Sequence, residues 1–172
     1  AKAIRMPRQS MAAIDKLPEE SLNWTSRARL VARGIGITGP ITRETDFEDT
    51  GGPFFLDPQG KRADQIDDDL ALWLQTDRGL VVCVGCCHAG IVNTLRQVLR
   101  LSGINKLHAL IGGFHLLNAN DERLAQTISA LHDFAPELIV PCHCTGDKAM
   151  QMLNSSFGER VVPGRAGARY SF

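Results

Sequence analysis

Gly79-Leu80-Val81-Val82-Cys83-Val84 is an apolar run of strand length, and it passes directly into Gly85-Cys86-Cys87-His88-Ala89-Gly90. Beyond Gly90 the apolar period changes. Ile91, Leu95, Val98, Leu99 and Leu101 fall at helical spacing, and Ser102-Gly103 supplies the stop. A strand that turns through a glycine-bearing loop into a helix is the repeating unit of α/β folds.

The unit recurs downstream. Lys106–Ile111 reads as a strand and is followed by Gly112-Gly113-Phe114-His115. Asp121–Phe134 is an amphipathic helix with Leu124, Ile128 and Leu131 on one face. Glu137–Val140 is a short buried strand that Pro141 should stop, and Pro141-Cys142-His143-Cys144-Thr145-Gly146 leads into a helix over Gly146–Leu153. Upstream, Asp69–Thr76 and Gly79–Val84 flank an Asp77-Arg78-Gly79 turn, which predicts a β-hairpin. The sheet should therefore be mixed, because it begins with a hairpin and continues through helical crossovers.

The rest is less regular. Arg29–Thr38 reads as a strand, Gly39–Gly52 as an ordered loop, Phe54–Leu56 as a short strand and Arg169–Phe172 as a last strand. Pro18 with Glu19 and Glu20 suggests a short helix or loop. The chain of 172 residues fits a single domain, with no internal repeat.

Three successive strands each deliver a histidine from their carboxyl ends: His88, His115 and His143. In open α/β sheets those ends form the crevice where ligands bind. Neutral imidazole ligates zinc-like metals and also serves as general acid or base. His108 and His132 lie within a strand and near a helix end, where a structural role is the ordinary expectation. The same reasoning makes Asp67-Asp68-Asp69 a solvated turn, whereas Arg43–Glu48 mixes charges with one aromatic and could line a pocket.

Cys83, Cys86, Cys87, Cys142 and Cys144 are odd in number and fall in two clusters, unlike a disulfide framework. Reduced thiols and a cytoplasmic location fit better. Neither cluster has the spacing of a zinc ribbon, and adjacent Cys86-Cys87 makes a poor chelate that more readily fills small buried space. A thiol redox protein is the alternative that the neighbouring imidazoles leave open.

Lys+Arg and Asp+Glu are both 19, so the net charge is zero and favours neither nucleic acid nor an anionic membrane. No apolar run approaches the ~20 residues of a membrane span, and no signal peptide is recognised. The expected partner is a small-molecule substrate.

These loops resemble a known group. Gly85-Cys86-Cys87-His88-Ala89-Gly90-Ile91-Val92-Asn93-Thr94, Gly112-Gly113-Phe114-His115-Leu116 and Pro141-Cys142-His143-Cys144-Thr145-Gly146 occur in this order in one branch of the metallo-β-lactamase superfamily. That branch holds the 7,8-dihydropterin-6-methyl-4-(β-D-ribofuranosyl)-aminobenzene-5′-phosphate synthases and related metal-dependent hydrolases, and Thr38-Gly39-Pro40-Ile41, Arg43, Phe47-Glu48 and Asp68-Asp69-x-Ala71-Leu72 agree as well.

The resemblance implies an αββα sandwich of which this α/β chain is the C-terminal portion: a mixed sheet with outer helices. It implies metal ligation by His88 and His143, with Cys86 standing where many members carry an acid. It implies His115 as the catalytic group that protonates a leaving group or holds a phosphate, and Arg43, Glu48, Gly113 and Phe114 as substrate-binding. The cofactor would be one or two Zn²⁺ in a complete enzyme, acting on a phosphate-bearing or ester substrate. No His-x-His occurs in the chain, whose first histidine is His88, so the His-x-His-x-Asp-His loop of the family's N-terminal half is expected to be absent. The abrupt opening Ala-Lys-Ala-Ile-Arg-Met-Pro-Arg over residues 1–8 agrees with that expectation. The chain alone should then bind metal weakly and turn over little. It should self-associate, or pair with the missing N-terminal half, and a non-enzymatic half-fold of this kind is the alternative function.

Overall fold

The structure is a computed structural model that describes residues 6–172; the first five residues of the abrupt opening lie outside it. One six-stranded mixed sheet runs in chain order, β1-β2-β3-β4-β5-β6. Its strands are β1 (Arg29–Ala32), β2 (Ile35–Ile37), β3 (Ala71–Thr76), β4 (Gly79–Val84), β5 (Leu107–Gly113) and β6 (Leu138–Cys142). The first four pair antiparallel, and β4-β5 and β5-β6 pair parallel. The helices are α1 (Arg8–Ile14), α2 (Ile91–Ser102), α3 (Asp121–Phe134) and α4 (Asp147–Phe157). The predicted mixed sheet and the alternation from Gly79 onward are both present.

Register explains where the core sits. Trp73 pairs with Val82, Val82 with Leu110 and Leu110 with Ile139, so these four share one face. They are buried in one cluster with Leu95 and Val98 of α2, Leu124 and Leu131 of α3, and Leu153 and Phe157 of α4. Burying side chains of this size stabilises by roughly 1.5–3 kcal/mol each relative to exposure. The opposite face carries Ile37, Leu72, Cys83 and Ile111, which alternate with that core and are only half-buried.

Several boundaries differ from the sequence reading. Arg29–Thr38 is not one strand: Gly34, at φ 73°, turns the chain into the β1-β2 hairpin. Pro141 does not stop β6 but lies within it, opposite Gly112. β6 is the last strand in the order, so the N–H that proline lacks need not serve an inner ladder, and the Pro141 carbonyl accepts the Gly164 N–H. The tail 169–172 forms no strand; Val161 instead makes a parallel bridge to Ile139. Phe54–Leu56 reduces to a single bridge between Phe55 and Ala63. Among the described residues no helix is long and apolar enough to cross a membrane.

The loop 39–52 is fastened to α2 rather than left free. Asn93 Oδ1 accepts the N–H groups of Glu44 and Thr45, and Gln97 Oε1 accepts that of Thr42. These polar residues lie on the buried side of α2 because the loop covers it.

Candidate functional site

The carboxyl ends of β4, β5 and β6 open into three loops, and the predicted histidines stand in them. The backbone there is unusual. Cys87 (φ 60°), His115 (φ 50°) and His143 (φ 51°) all occupy the left-handed region. Such conformations cost on the order of 1–3 kcal/mol and persist where the surroundings impose them, commonly at functional sites. Gly113 lets two of the loops meet, since a Cβ there would stand 2.8 Å from both Cys144 Sγ and the Gly85 carbonyl oxygen.

Two clusters result. In the first, the rings of His88 and His115 meet edge to face at 4.6 Å between centroids. Asp69 stands behind His88, with Oδ1 at 3.6 Å from Nδ1, while its Oδ2 accepts the Ala89 N–H at 3.0 Å. Asp69 is thus no solvated turn residue; its side chain is largely buried against the loop it braces. A carboxylate behind an imidazole is the arrangement that orients histidines at metal centres. Arg43 Nη2 donates to the carbonyls of His88 (2.9 Å) and Gln65 (2.8 Å), and Nη1 is buried without a partner among the described residues.

His115 has a defined tautomer. Its Nε2 lies 2.7 Å from the Thr50 carbonyl oxygen, which can only accept, so Nε2 carries the proton. Nδ1 then presents a lone pair, and it is buried with no hydrogen-bond partner among the described residues. Burial lowers the pKa of His115 below the usual histidine value, with a smaller opposing effect from the bond to Thr50. The ring is therefore first a proton or hydrogen-bond acceptor.

In the second cluster His143 Nε2 lies 2.9 Å from Cys86 Sγ, and the Cys144 thiol donates to the Cys86 carbonyl oxygen at 3.2 Å. One ligand atom from each of Cys86, His143 and Cys144 falls within 4.8 Å of the others. Burial pushes the Cys144 thiol up to about 11. Cys87 fills buried space beside Thr94, and burial raises its pKa well above the ordinary value. All five cysteines are free.

Other expected site residues are placed differently. Glu48 is 6% exposed, and its two carboxylate oxygens accept the Val92 and Asn93 N–H groups, both at 2.9 Å. Burial raises its pKa, and these hydrogen bonds oppose the rise. The N-terminus of α2 is accordingly occupied by an acid of the chain itself and is not open to an anion. Phe114 is fully buried in the core cluster. His108 pairs with Glu137 at 2.9 Å, and His132 stacks on Phe157 at 4.4 Å, as structural histidines do.

Arg123 escaped the sequence reading. It is 5% exposed, with Nη1 on Asp49 Oδ1 at 2.5 Å, and neither Nε nor Nη2 has a partner among the described residues. A cation in the first turn of α3 opposes the helix dipole, and that anomaly was the available signal. It lines a cleft of about 560 Å³ with Asp46, Phe47, Gly51 and Asn120. A Cβ at Gly51 would stand 2.8 Å from His115 Nε2, so the cleft adjoins the histidine pair.

No family model matches the chain. It is 43% identical over 109 residues to the 7,8-dihydropterin-6-methyl-4-(beta-D-ribofuranosyl)-aminobenzene-5'-phosphate synthase of Methanocaldococcus jannaschii, across 63% of this chain and 37% of that protein. It is 32% identical over 127 residues to an uncharacterised protein of the same organism, across 72% of this chain and 45% of the relative. A solved structure described as a metal-dependent hydrolase of the β-lactamase superfamily superposes with a TM-score of 0.77 at 29% identity, over 87% of this chain and 57% of that one. The chain thus spans less than half the length of the two curated relatives it matches.

Proposed function

Because the chain belongs to the metallo-β-lactamase superfamily, in the branch of the dihydropterin-linked phosphate synthase, we propose that it carries the strand-end half of a metal-dependent hydrolase site for a phosphate-bearing or ester substrate. The observation that carries the reading is the convergence of two imidazoles, His88 with Asp69 behind it and His115 held by the Thr50 carbonyl, beside a second set containing His143 and Cys86. Among the described residues Cys86, His143 and Cys144 each offer a ligand atom within 4.8 Å of the others, and imidazole and thiolate are the ordinary ligands of a zinc-like ion. His88, His143 and Cys86 would hold the metal, which when bound lowers the pKa of a water and polarises a phosphoryl or carbonyl oxygen.

The chain's own residues supply the remainder. Asp69 orients His88. His115, protonated at Nε2, accepts a proton or a hydrogen bond at Nδ1 before it can return one to a leaving group. Arg43 and Arg123 each keep a buried guanidinium nitrogen without a partner among the described residues, which favours an anionic substrate group such as a phosphate. Free cysteines throughout agree with a reducing compartment, and cytoplasmic localisation belongs to the same proposal.

The test is hydrolysis of bis(p-nitrophenyl) phosphate, p-nitrophenyl phosphate and p-nitrophenyl acetate by the full-length gene product, with and without EDTA. Turnover should vanish with chelation and return with Zn²⁺ or Mn²⁺. H88A and H143A should each lower it by about 10²-fold or more, and H132A should leave it unchanged. Turnover indifferent to EDTA and to both histidines would overturn the proposal.

A second reading rests on the half-buried sheet face. Ile37, Leu72, Cys83 and Ile111 form an apolar stripe opposite the helical core, suited to pairing with a second sheet. A non-enzymatic module that works through such pairing would show a concentration-dependent mass by light scattering and no chelator-sensitive turnover.

A further inference from the structure

We propose that Arg123 is a positioning residue: acting through Asp49 and the Thr50 carbonyl, it holds the His115 ring in place with the proton on Nε2 and the lone pair on Nδ1. The inference rests on the reading of His115 as a proton acceptor given above, and it needs no bound metal.

Three observations carry it. The first is an unbroken run of contacts. Arg123 Nη1 donates to Asp49 Oδ1, and the same oxygen accepts the Gly51 N–H at 2.8 Å. The carbonyl of Thr50, the residue between them, accepts the His115 Nε2–H at 2.7 Å. The second is the fit of Gly51, which lies between the two side chains at φ 66°. A Cβ there would stand 2.8 Å from His115 Nε2 and 3.8 Å from Arg123 Nη1. The third is what Arg123 costs. It is a buried cation in the first turn of α3, where the helix dipole opposes it, and Nε and Nη2 have no partner among the described residues. Its one carboxylate partner, Asp49, has a side chain that is 76% exposed. Buried donors without acceptors destabilise, and a bridge to an exposed carboxylate returns little. An apolar side chain of similar volume would serve folding at least as well.

The loop explains why one strut has this effect. Residues 46–52 contain no helix or strand. Glu48 ties the loop to α2 and Asp49 ties it to α3, so two neighbouring acids fasten the chain just ahead of the Thr50 carbonyl. The tautomer and orientation of an imidazole follow from the acceptor that its protonated nitrogen meets. Once Thr50 is free to move, the Nε2–H loses a fixed acceptor. The ring can then give that proton to solvent and take one at Nδ1, which removes the lone pair.

Long-range ¹H–¹⁵N NMR of the ¹⁵N-labelled chain, without metal and at a pH where neutral imidazole prevails, reads the tautomer of each histidine. H115Q assigns the His115 signals. The wild type should show His115 with a pyrrole-type Nε2, a pyridine-type Nδ1 and a slowly exchanging Nε2 proton. R123M should lower the ratio of the two tautomers by roughly threefold to tenfold, the worth of one hydrogen bond, and expose that proton to exchange. Its urea-unfolding midpoint should be unchanged or raised, because the partner left behind is in solvent. D49A cuts the same link at an exposed side chain and should move the His115 signals in the same way, so the test survives a misfolded R123M. D49N keeps an acceptor for the Gly51 N–H and should fall between. In the full-length gene product R123M should lower kcat by roughly tenfold with KM little changed. His115 signals that stay as in the wild type in both R123M and D49A would overturn the proposal, as would an R123M that is destabilised with the tautomer intact. A lost tautomer with unchanged turnover leaves the positioning standing and removes His115 from the hydrolase reading; lost turnover with the tautomer held does the reverse.

Discussion

A Cβ placed on Gly90 would stand 2.2 Å from the carboxyl carbon of Glu48: the glycine and the acid share one space. Gly90 precedes α2 at φ 96° and has no side chain with which to cap the helix. Glu48 takes over that role from a loop more than forty residues upstream, accepting the N–H groups of Val92 and Asn93. The helix that carries the His88 loop is thereby welded to the loop that carries Thr50, the partner of His115.

The first prediction is a coupling. E48A removes three hydrogen bonds to the carboxylate, from the Val92 and Asn93 N–H groups and the Thr45 hydroxyl, and should cost about 2–3 kcal/mol. G90A adds both a left-handed alanine and a collision and should cost roughly 3–5 kcal/mol. In the E48A background only the backbone strain remains, so G90A should then cost about 1–3 kcal/mol. Urea unfolding of the four proteins in the cycle measures this, and strictly additive costs would refute the shared-space account.

The second prediction concerns Asp69. Replacing it by Ala frees the His88 ring and leaves the Ala89 N–H without its acceptor. Metal-dependent turnover of the full-length product should fall by about 10–100-fold, with stability reduced by only about 1–2 kcal/mol. D69N should recover the stability through its amide oxygen but not the turnover. Equal recovery of both would assign Asp69 a purely structural part.

The third prediction lies at the opposite end of the parallel strands. Glu137, just before β6, accepts from Lys106 at 3.0 Å, from His108 at 2.9 Å and from Arg78 at 2.8 Å. The Lys106 hydrogen bond, followed by that of His108, draws its carboxyl pKa down to about 2 from 4.5. The folded value lies below the unfolded one, so the stabilisation is complete above about pH 4.5 and is lost as the pH falls from there towards 2. The stability difference between wild type and E137Q, measured by urea unfolding, should therefore narrow as the pH falls from about 4.5 towards 2. A difference independent of pH would show that the ion cluster contributes nothing.

Much of this molecule is legible locally. The alternation of apolar run, glycine-bearing loop and helical period over Gly79–Leu101 describes β4, its loop and α2 to within a residue or two. His88, His115 and His143 at three successive strand ends follow from that alternation. Pro141 misled because proline is read as a stop, whereas an edge strand tolerates it. Asp69 misled because three consecutive acids normally mark a solvated turn, and only the packing of the 85–90 loop against it gives the third a buried partner.

The sequence by itself determined the α/β alternation, the mixed sheet and the three histidine loops, because each is a matter of hydrophobic period and turn chemistry over a dozen residues. Tertiary structure alone decided which atoms meet. The free Nδ1 of His115 depends on a carbonyl 65 residues away, the Cys86 carbonyl partners a thiol 58 residues away, and Glu48 reaches a helix 44 residues on. Those meetings are set by sheet register and by side-chain packing between loops, and no local pattern in the chain encodes such a distance.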